Sequence, residues 1–201
     1  MSEPRKVELL SRETVFQGHY RVDRYRLRHS QFAGGLGPEI SREVFERGHA
    51  VAVLPYDPVR DEVVLLEQFR VAPYACGDEA WMLEIVAGLT EPGEALEDVA
   101  RRETQEEAGL ALQALKPVAR YYTSPGAVTE HVTVYAGRVD AAGAGGIHGL
   151  DHEGEDIRVT VVPASEALEM LEAGRFRNSP ALIAMQWFAL NREALRREWR
   201  A

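Results

Sequence analysis

The stretch GLTEPGEALEDVARRETQEEAGL, residues 88–110, decides how the centre of this chain folds. Its apolar residues recur at helical spacing and predict a helix from about Ala95 to Ala108. Because successive helix residues turn by about 100°, Glu103 and Glu107 project to the apolar side, where the core is expected. Like charges at i,i+4 cost a helix roughly 0.2–0.5 kcal/mol per pair in water, and considerably more when partly desolvated. A divalent cation bound between the two carboxylates is the simplest compensation.

The donor atoms in this helix indicate which cation is expected. Glu103, Glu106 and Glu107, with Glu94 a turn or more before them, offer oxygen donors and no histidine or cysteine. Hard oxygen donors favour Mg²⁺, with Mn²⁺ as a substitute, over zinc. Such ions polarise phosphoryl oxygens and stabilise a leaving phosphate.

A second interpretation of the helix is a solvated acidic surface paired to arginines. Arg101 and Arg102 make this reading possible. It does not explain why Glu103 and Glu107 lie on the side expected to face the core.

Composition limits the possible functions. At 201 residues and 45% hydrophobic, the chain fits one domain with an added subdomain. A net charge of −9 argues against a general affinity for nucleic acid, and no apolar run reaches the roughly 18 residues of a membrane span. The lone Cys76 cannot form an internal disulfide, so a reducing cytoplasm is the expected compartment.

The order of predicted elements favours an α+β fold in which helices enclose a mixed sheet, because strands and helices do not alternate strictly. Residues 1–48 are read as a strand-rich N-terminal segment that could be exchanged in a dimer, and 49–201 as the main domain. The predicted strands are Tyr20 to Arg28, Val51 to Pro55, Glu62 to Phe69, Trp81 to Val86, Val118 to Tyr122, His131 to Val139 and Ile157 to Val162. Further helices are predicted at Ser165 to Ala173 and Pro180 to Trp199, and a flexible loop at Gly143 to Gly149.

The central stretch resembles the signature of the Nudix hydrolases, which cleave a nucleoside diphosphate linked to another group. The shared spacing is G-x5-E-x7-R-E-x-x-E-E-x-G, carried by Gly88, Glu94, Arg102, Glu103, Glu106, Glu107 and Gly109. Thr104 departs from the aliphatic residue usual at its position, so slightly looser packing and unchanged chemistry are expected. The resemblance implies the Nudix fold and pyrophosphohydrolase activity.

A second acidic segment, HGLDHEGEDIRV, lies far from the first in sequence. Glycines flank Glu153, with Glu155 close behind, so this loop could close over a metal site and deliver a general base. Together with RGHAVAVLPYDPVRDEVVLLEQFR, WMLEIVAG and TSPG, it is similar to bacterial ADP-ribose pyrophosphatases from about Arg42 onward. This similarity implies hydrolysis of ADP-ribose to AMP and ribose 5-phosphate by a homodimer.

The resemblance also implies individual roles. The carbonyl of Ala87 and the carboxylates of Glu103, Glu107 and Glu155 match metal ligands. Glu153 matches the general base, Glu106 completes the acidic set, and Arg102 orients a carboxylate. Arg42 and Arg70 match contacts to the diphosphate or adenosine, and Ser124 and Glu130 match contacts to the distal ribose across a subunit interface. For these last four, an ordinary structural role is an equally good reading.

Two alternatives remain open at this point. The first is a hydrolase of another nucleoside diphosphate sugar, such as GDP-mannose or ADP-glucose, because the central signature would be identical. The second is a non-catalytic Nudix-like regulator that binds its ligand. The intact set of Glu103, Glu106 and Glu107 argues against the regulator.

Overall fold

Apolar runs in the middle and second half of the chain form an eight-stranded mixed sheet. In the computed structural model, which describes residues 5–200, its strand order is β10-β11-β5-β4-β9-β8, with β6 paired to β5 and β7 paired to β4. Strand β4 runs parallel to β9, and its other pairings are antiparallel. The strands are β4 (Ala50–Asp57), β5 (Glu62–Phe69), β6 (Trp81–Glu84), β7 (Val86–Leu89), β8 (Ala114–Tyr122), β9 (His131–Arg138), β10 (Gly146–His148) and β11 (Ile157–Pro163).

Helices cover both faces of this sheet. On one face lies α2 (Leu96–Ala108), which buries Val99, Ala100 and Ala108 in an apolar cluster with β4, β5 and β11. On the other lie α3 (Ala164–Glu172) and α4 (Ser179–Arg200), with Met185 and Phe188 fully buried. The short helix α1 (Val71–Ala75) follows β5. The predicted α+β class, a mixed sheet between helices, is therefore confirmed.

Both termini of helix α2 carry residues that favour a helix end. Glu97 and Asp98 lie in its first turn, where acidic side chains favour the positive end of the helix dipole. Gly109 follows the last turn with φ +66, a left-handed conformation that glycine adopts without strain. The helix therefore stops at the last glycine of the signature.

The region before β4 forms a separate three-stranded antiparallel sheet in the order β1-β2-β3. Its strands are β1 (Val7–Gln17), β2 (Arg21–His29) and β3 (Ile40–Glu46). The contacts within the chain divide it into two units. The first unit contains this sheet and Tyr122–His131, and the second unit contains the large sheet, with Ala50–Tyr121 and the residues from Val132 onward. Main-chain hydrogen bonds link Phe45 to Ala127 and Thr129 within the first unit.

The structure differs from the sequence prediction in one place that matters for the site. The strand predicted from Trp81 to Val86 is two strands, because the chain leaves β5 at the buried Ile85 and then pairs with β4. This change of partner brings β7 against α2. The loop predicted at Gly143 to Gly149 also contains a short strand, β10, paired with β11.

Helix α4 is apolar over much of its surface, but it packs on the sheet. Its buried residues are Ala181, Ala184, Met185, Phe188, Leu195 and Trp199. Within residues 5–200, none of the helices combines the length and the apolar character that crossing a bilayer requires.

Candidate active site

Glu107 is the most deeply buried carboxylate of α2. Its side chain is in the core-facing side of the helix with 2% of the residue exposed, and the Ala87 N–H donates to its Oε2 at 2.9 Å. Burial raises the pKa of Glu107 well above its usual value. The Ala87 hydrogen bond and the charge of Arg70 oppose that rise, whereas the charges of Glu103 and Glu155 add to it. The charge of Arg70 is therefore too weak to hold the pKa of Glu107 at its usual value.

The carboxylate of Glu103 lies against the backbone of β7 at Gly88, where a side chain would displace it. A Cβ placed on Gly88 would come within 1.8 Å of the Glu103 Oε1 atom. The signature therefore begins with glycine because the carboxylate of Glu103 occupies the space of a side chain. Burial raises the pKa of Glu103, Arg102 lowers it, and the charges of Glu106 and Glu155 raise it further, with a net upward shift.

Arg102 supplies the cation that this side of α2 holds. Its guanidinium donates to Glu94 at 3.1 and 3.2 Å, to Glu103 at 2.6 Å and to Glu106 at 3.2 Å. The hydrogen bond to Glu94 is the largest cause of a raised pKa for Arg102. Arg101 instead donates to the carbonyl of Leu112 at 2.7 Å. The interpretation of the helix as an acidic surface paired to arginines thus holds for Arg102 and not for Arg101. Within residues 5–200, Glu107 accepts no hydrogen bond from an arginine.

The loop between β10 and β11 brings Glu155, but not Glu153, towards these carboxylates. The charge of Glu155 raises the pKa of both Glu103 and Glu107, so the three groups form one electrostatic cluster. The Glu155 carboxylate accepts the Leu150 N–H at 3.1 Å, and Gly149 packs so closely against Glu155 that a Cβ there would lie 2.7 Å from the Glu155 Cβ.

Glu153 lies in a short 3₁₀ turn of the same loop. Its side chain is 57% exposed, and its carboxylate is 3.7 Å from Nε2 of His152. Within residues 5–200, no hydrogen bond or ion pair joins Glu153 to the carboxylates of α2.

Arg70 follows β5 and pairs with a residue that the sequence interpretation did not single out. Its guanidinium donates to both oxygens of Glu84, and the shortest of these hydrogen bonds is 2.6 Å. Glu84 lies on β6 with 7% of the residue exposed, and Gln68 also donates to it. The sequence did contain a signal that Glu84 needs a partner. Glu84 lies between Met82 and Val86, both buried, and a lone carboxylate at a buried position of a strand must be paired.

The other three substrate candidates lie in the first unit. Arg42 donates to the Ser41 carbonyl at 2.7 Å and is exposed. The Ser124 carbonyl accepts two turn N–H groups. Glu130 is buried and forms an ion pair with Arg47 at 3.3 Å, a partner that no local sequence pattern indicated.

The donor set fits a hard divalent cation in its chemistry, although each carboxylate has a protein partner in this arrangement. Among residues 5–200, no three histidine, cysteine or acidic side chains stand ready around a common point. The three carboxylates, of which Glu155 raises the pKa of Glu103 and Glu107, supply the hard oxygen donors that such a cation prefers.

Thr104, the departure from the signature, is fully buried. Its hydroxyl donates to the Ala100 carbonyl at 2.7 Å, so the helix satisfies it internally. The substitution adds no unpaired polar atom to the core.

Comparisons with known proteins agree with this geometry. The chain is 50% identical over 193 residues to the ADP-ribose pyrophosphatase of Escherichia coli (strain K12), covering 96% of this chain and 92% of that protein. It is 40% identical over 197 residues to the ADP-ribose pyrophosphatase of Haemophilus influenzae, covering 96% and 91%. A crystal structure of an ADP compounds hydrolase matches with a TM-score of 0.73 at 22% identity over 98% of this chain and 97% of that one, which shows the fold. The NUDIX domain model matches residues 46–185. The chain therefore belongs to the NUDIX domain family.

Proposed function

We propose that this protein hydrolyses the pyrophosphate bond of ADP-ribose to AMP and ribose 5-phosphate, using Mg²⁺. The observation that supports the reaction class is the cluster of Glu103, Glu107 and Glu155: the charge of Glu155 raises the pKa of the other two, and within residues 5–200 Arg102 donates to Glu103 alone among the three. Identity to ADP-ribose pyrophosphatases along nearly the whole chain supports the choice of substrate.

We propose that the Ala87 carbonyl, Glu103, Glu107 and Glu155 hold the cation. All four donors are oxygens, which favours Mg²⁺, with Mn²⁺ as a substitute. When bound, such ions neutralise diphosphate charge and polarise the phosphoryl oxygens. Arg102 takes the remaining carboxylates, Glu94 and Glu106, and so keeps the helix neutral enough to remain folded when Glu103 changes partner.

In this proposal the remaining residues bind the substrate or move a proton. Arg70 faces the negative diphosphate, Arg42 contacts the diphosphate or adenosine, and Ser124 and Glu130 contact the distal ribose. After the loop closes, the Glu153 carboxylate accepts a proton from the attacking water. The exposure of Glu153 supports a group that is free to move into place.

The substrate is tested by incubating the protein with Mg²⁺ and ADP-ribose, ADP-glucose or GDP-mannose and measuring the released mononucleotide. We expect kcat/KM for ADP-ribose to exceed that for each alternative by about 10-fold or more, since a site that hydrogen-bonds one sugar leaves polar groups unpaired with another. A chelator in excess over Mg²⁺ is the control and should abolish release.

Two outcomes would contradict the proposal. A higher kcat/KM for GDP-mannose would overturn the substrate assignment. Binding of ADP-ribose without any release of AMP would indicate a non-catalytic ligand-binding module.

We also propose that the protein is a homodimer. Strand β1 is an edge strand of the first unit, and its 11 residues are all exposed. Val7, Leu9 and Phe16 are each more than half exposed. Long apolar edge strands are rarely left open to solvent in a monomer, because they pair with other chains.

Light scattering should give twice the chain mass of 22.4 kDa. Leu9→Glu should shift the protein towards the monomer and raise KM for ADP-ribose, because Ser124 and Glu130 are proposed to act across the interface. Leu190→Glu is the matched control, since Leu190 is 88% exposed on α4, and it should leave the mass unchanged. A wild-type monomer with full activity would overturn the dimer.

Replacing Glu107 should raise the stability of the metal-free protein and lower its activity. The raised pKa of Glu107 means that the folded protein favours the protonated form of this side chain. Its contribution to stability is fully present below the pKa of the unfolded chain, about 4.3, and is lost as pH rises through the pKa of the folded protein. Glu107→Gln should therefore melt at a higher temperature than the metal-free wild type at pH 7, with the difference vanishing near pH 4. It should lower kcat by about 100-fold or more, because it removes a cation ligand.

Glu169→Gln is the control for Glu107→Gln, because Glu169 is an exposed glutamate of α3 that lies beyond the first turn of its helix. It should change neither the melting temperature nor kcat appreciably. Near-normal turnover of Glu107→Gln in Mg²⁺ would show that Glu107 does not bind the cation.

Replacing Glu153 should affect the proton transfer alone. Glu153→Gln should lower kcat by about 10²–10⁴-fold with little change in KM. Glu155→Gln should also weaken the apparent affinity for Mg²⁺, and Asp156→Asn, an exposed neighbour in the same loop, should do neither. A loss of less than about threefold for Glu153→Gln would place the base elsewhere, with Glu106 or Glu94 the next candidates.

A further inference from the structure

Glu84 holds one edge of the Arg70 guanidinium. Nε of Arg70 donates to the two Glu84 oxygens at 3.1 and 3.2 Å, and Nη2 donates to Oε2 at 2.6 Å. Such a two-nitrogen contact fixes the plane of the guanidinium as well as its position. Within the described part of the chain, the remaining nitrogen, Nη1, donates to no protein group.

The sheet holds Glu84 firmly in place. Glu84 lies opposite Leu66 in the pairing of β5 with β6, and the Gln68 amide, one diagonal position along, donates to Glu84 Oε2 at 3.2 Å. Both residues are less than 10% exposed. A buried carboxylate with two donors has little freedom to move, so it is a fixed support for a longer and more exposed side chain.

Arg70 also lies within electrostatic reach of two proposed cation ligands. Burial lowers the pKa of Arg70, but the hydrogen bond to Glu84 and the charges of Glu84, Glu107 and Glu155 raise it by more. Glu107 and Glu155 are thus the carboxylates to which the guanidinium could turn if Glu84 released it. Such a turn would place an arginine against the carboxylates that the cation needs.

We propose that Glu84 is a positioning residue for Arg70, which keeps the guanidinium away from Glu107 and Glu155 and leaves its Nη1 edge available for an anionic oxygen. The part of this proposal that concerns the substrate rests on the proposed function. The part that concerns the cation needs only the contacts between Arg70 and the carboxylates.

Two simpler roles for Glu84 make different predictions. A purely electrostatic role would attract the cation through its negative charge, whatever Arg70 does. A purely structural role would stabilise the sheet without affecting cation binding at temperatures where the protein is folded.

Calorimetric titration of Mn²⁺ into the substrate-free protein separates these roles. Glu84→Gln keeps the shape of the side chain and removes its charge, and we expect the Kd for Mn²⁺ to rise about 10-fold. Glu84→Asp keeps the charge but withdraws it by one methylene, so the positioning role predicts a similar rise. In an Arg70→Gln background, neither substitution should change the Kd by more than about twofold, because no guanidinium remains to compete.

Kinetics provide a second, independent readout. Glu84→Gln should raise KM for ADP-ribose about 10-fold, and this effect should also disappear in the Arg70→Gln background. Absence of hydrolysis in every variant, including the wild type, would refute the proposed function and leave the Mn²⁺ titration as the test of positioning.

Either of two results would overturn the proposal. An equal weakening of Mn²⁺ binding by Glu84→Gln with and without Arg70 would show that the charge acts directly. Normal Mn²⁺ binding and normal KM in both Glu84 variants, at a temperature below their melting transitions, would reduce Glu84 to a structural role.

Discussion

Two carboxylates on the core side of a helix are the constraint on which the rest of this structure depends. Glu107 needs a donor from the backbone, and Glu103 needs a strand with no side chain at the point of contact. Strand β7 meets both needs with the Ala87 N–H and with Gly88. At Ile85 the chain changes its pairing partner from β5 to β4, and this change places β7 against α2. Fold and site are therefore joined by the same four-residue strand.

Much of the fold follows from sequence because its signals are local. Helix α2 lies within one residue of its predicted start and ends at the predicted residue, since apolar spacing and Gly109 define it. The division of β6 from β7 was missed, because the apolar run from Trp81 continues through Ile85 without a turn residue. The pairs Arg70–Glu84 and Arg47–Glu130 could not be predicted, since strand register and loop packing bring their partners together over 14 and 83 residues.

The site residues divide in the same way. Helical periodicity alone places Glu103 and Glu107 on the core side of α2, as the structure has them. The grouping of Glu155 with them depends on a loop some 50 residues away in sequence, and only the family resemblance indicated it. The role of Glu153 remains a proposal, because its side chain is exposed and, within residues 5–200, makes no ion pair that links it to α2.

The ion pairs of Arg102 affect how the protein folds and how it persists in the cell. Because one guanidinium already binds Glu103 and Glu106 of α2 and Glu94 just before the helix, the newly synthesised helix carries a counter-charge of its own. Folding of the helix then need not wait for a bound cation, so under the proposed function a protein that lost its metal would remain intact and idle in place of unfolding. Recovery would then require only that the cation bind again, which takes far less time than making the chain anew.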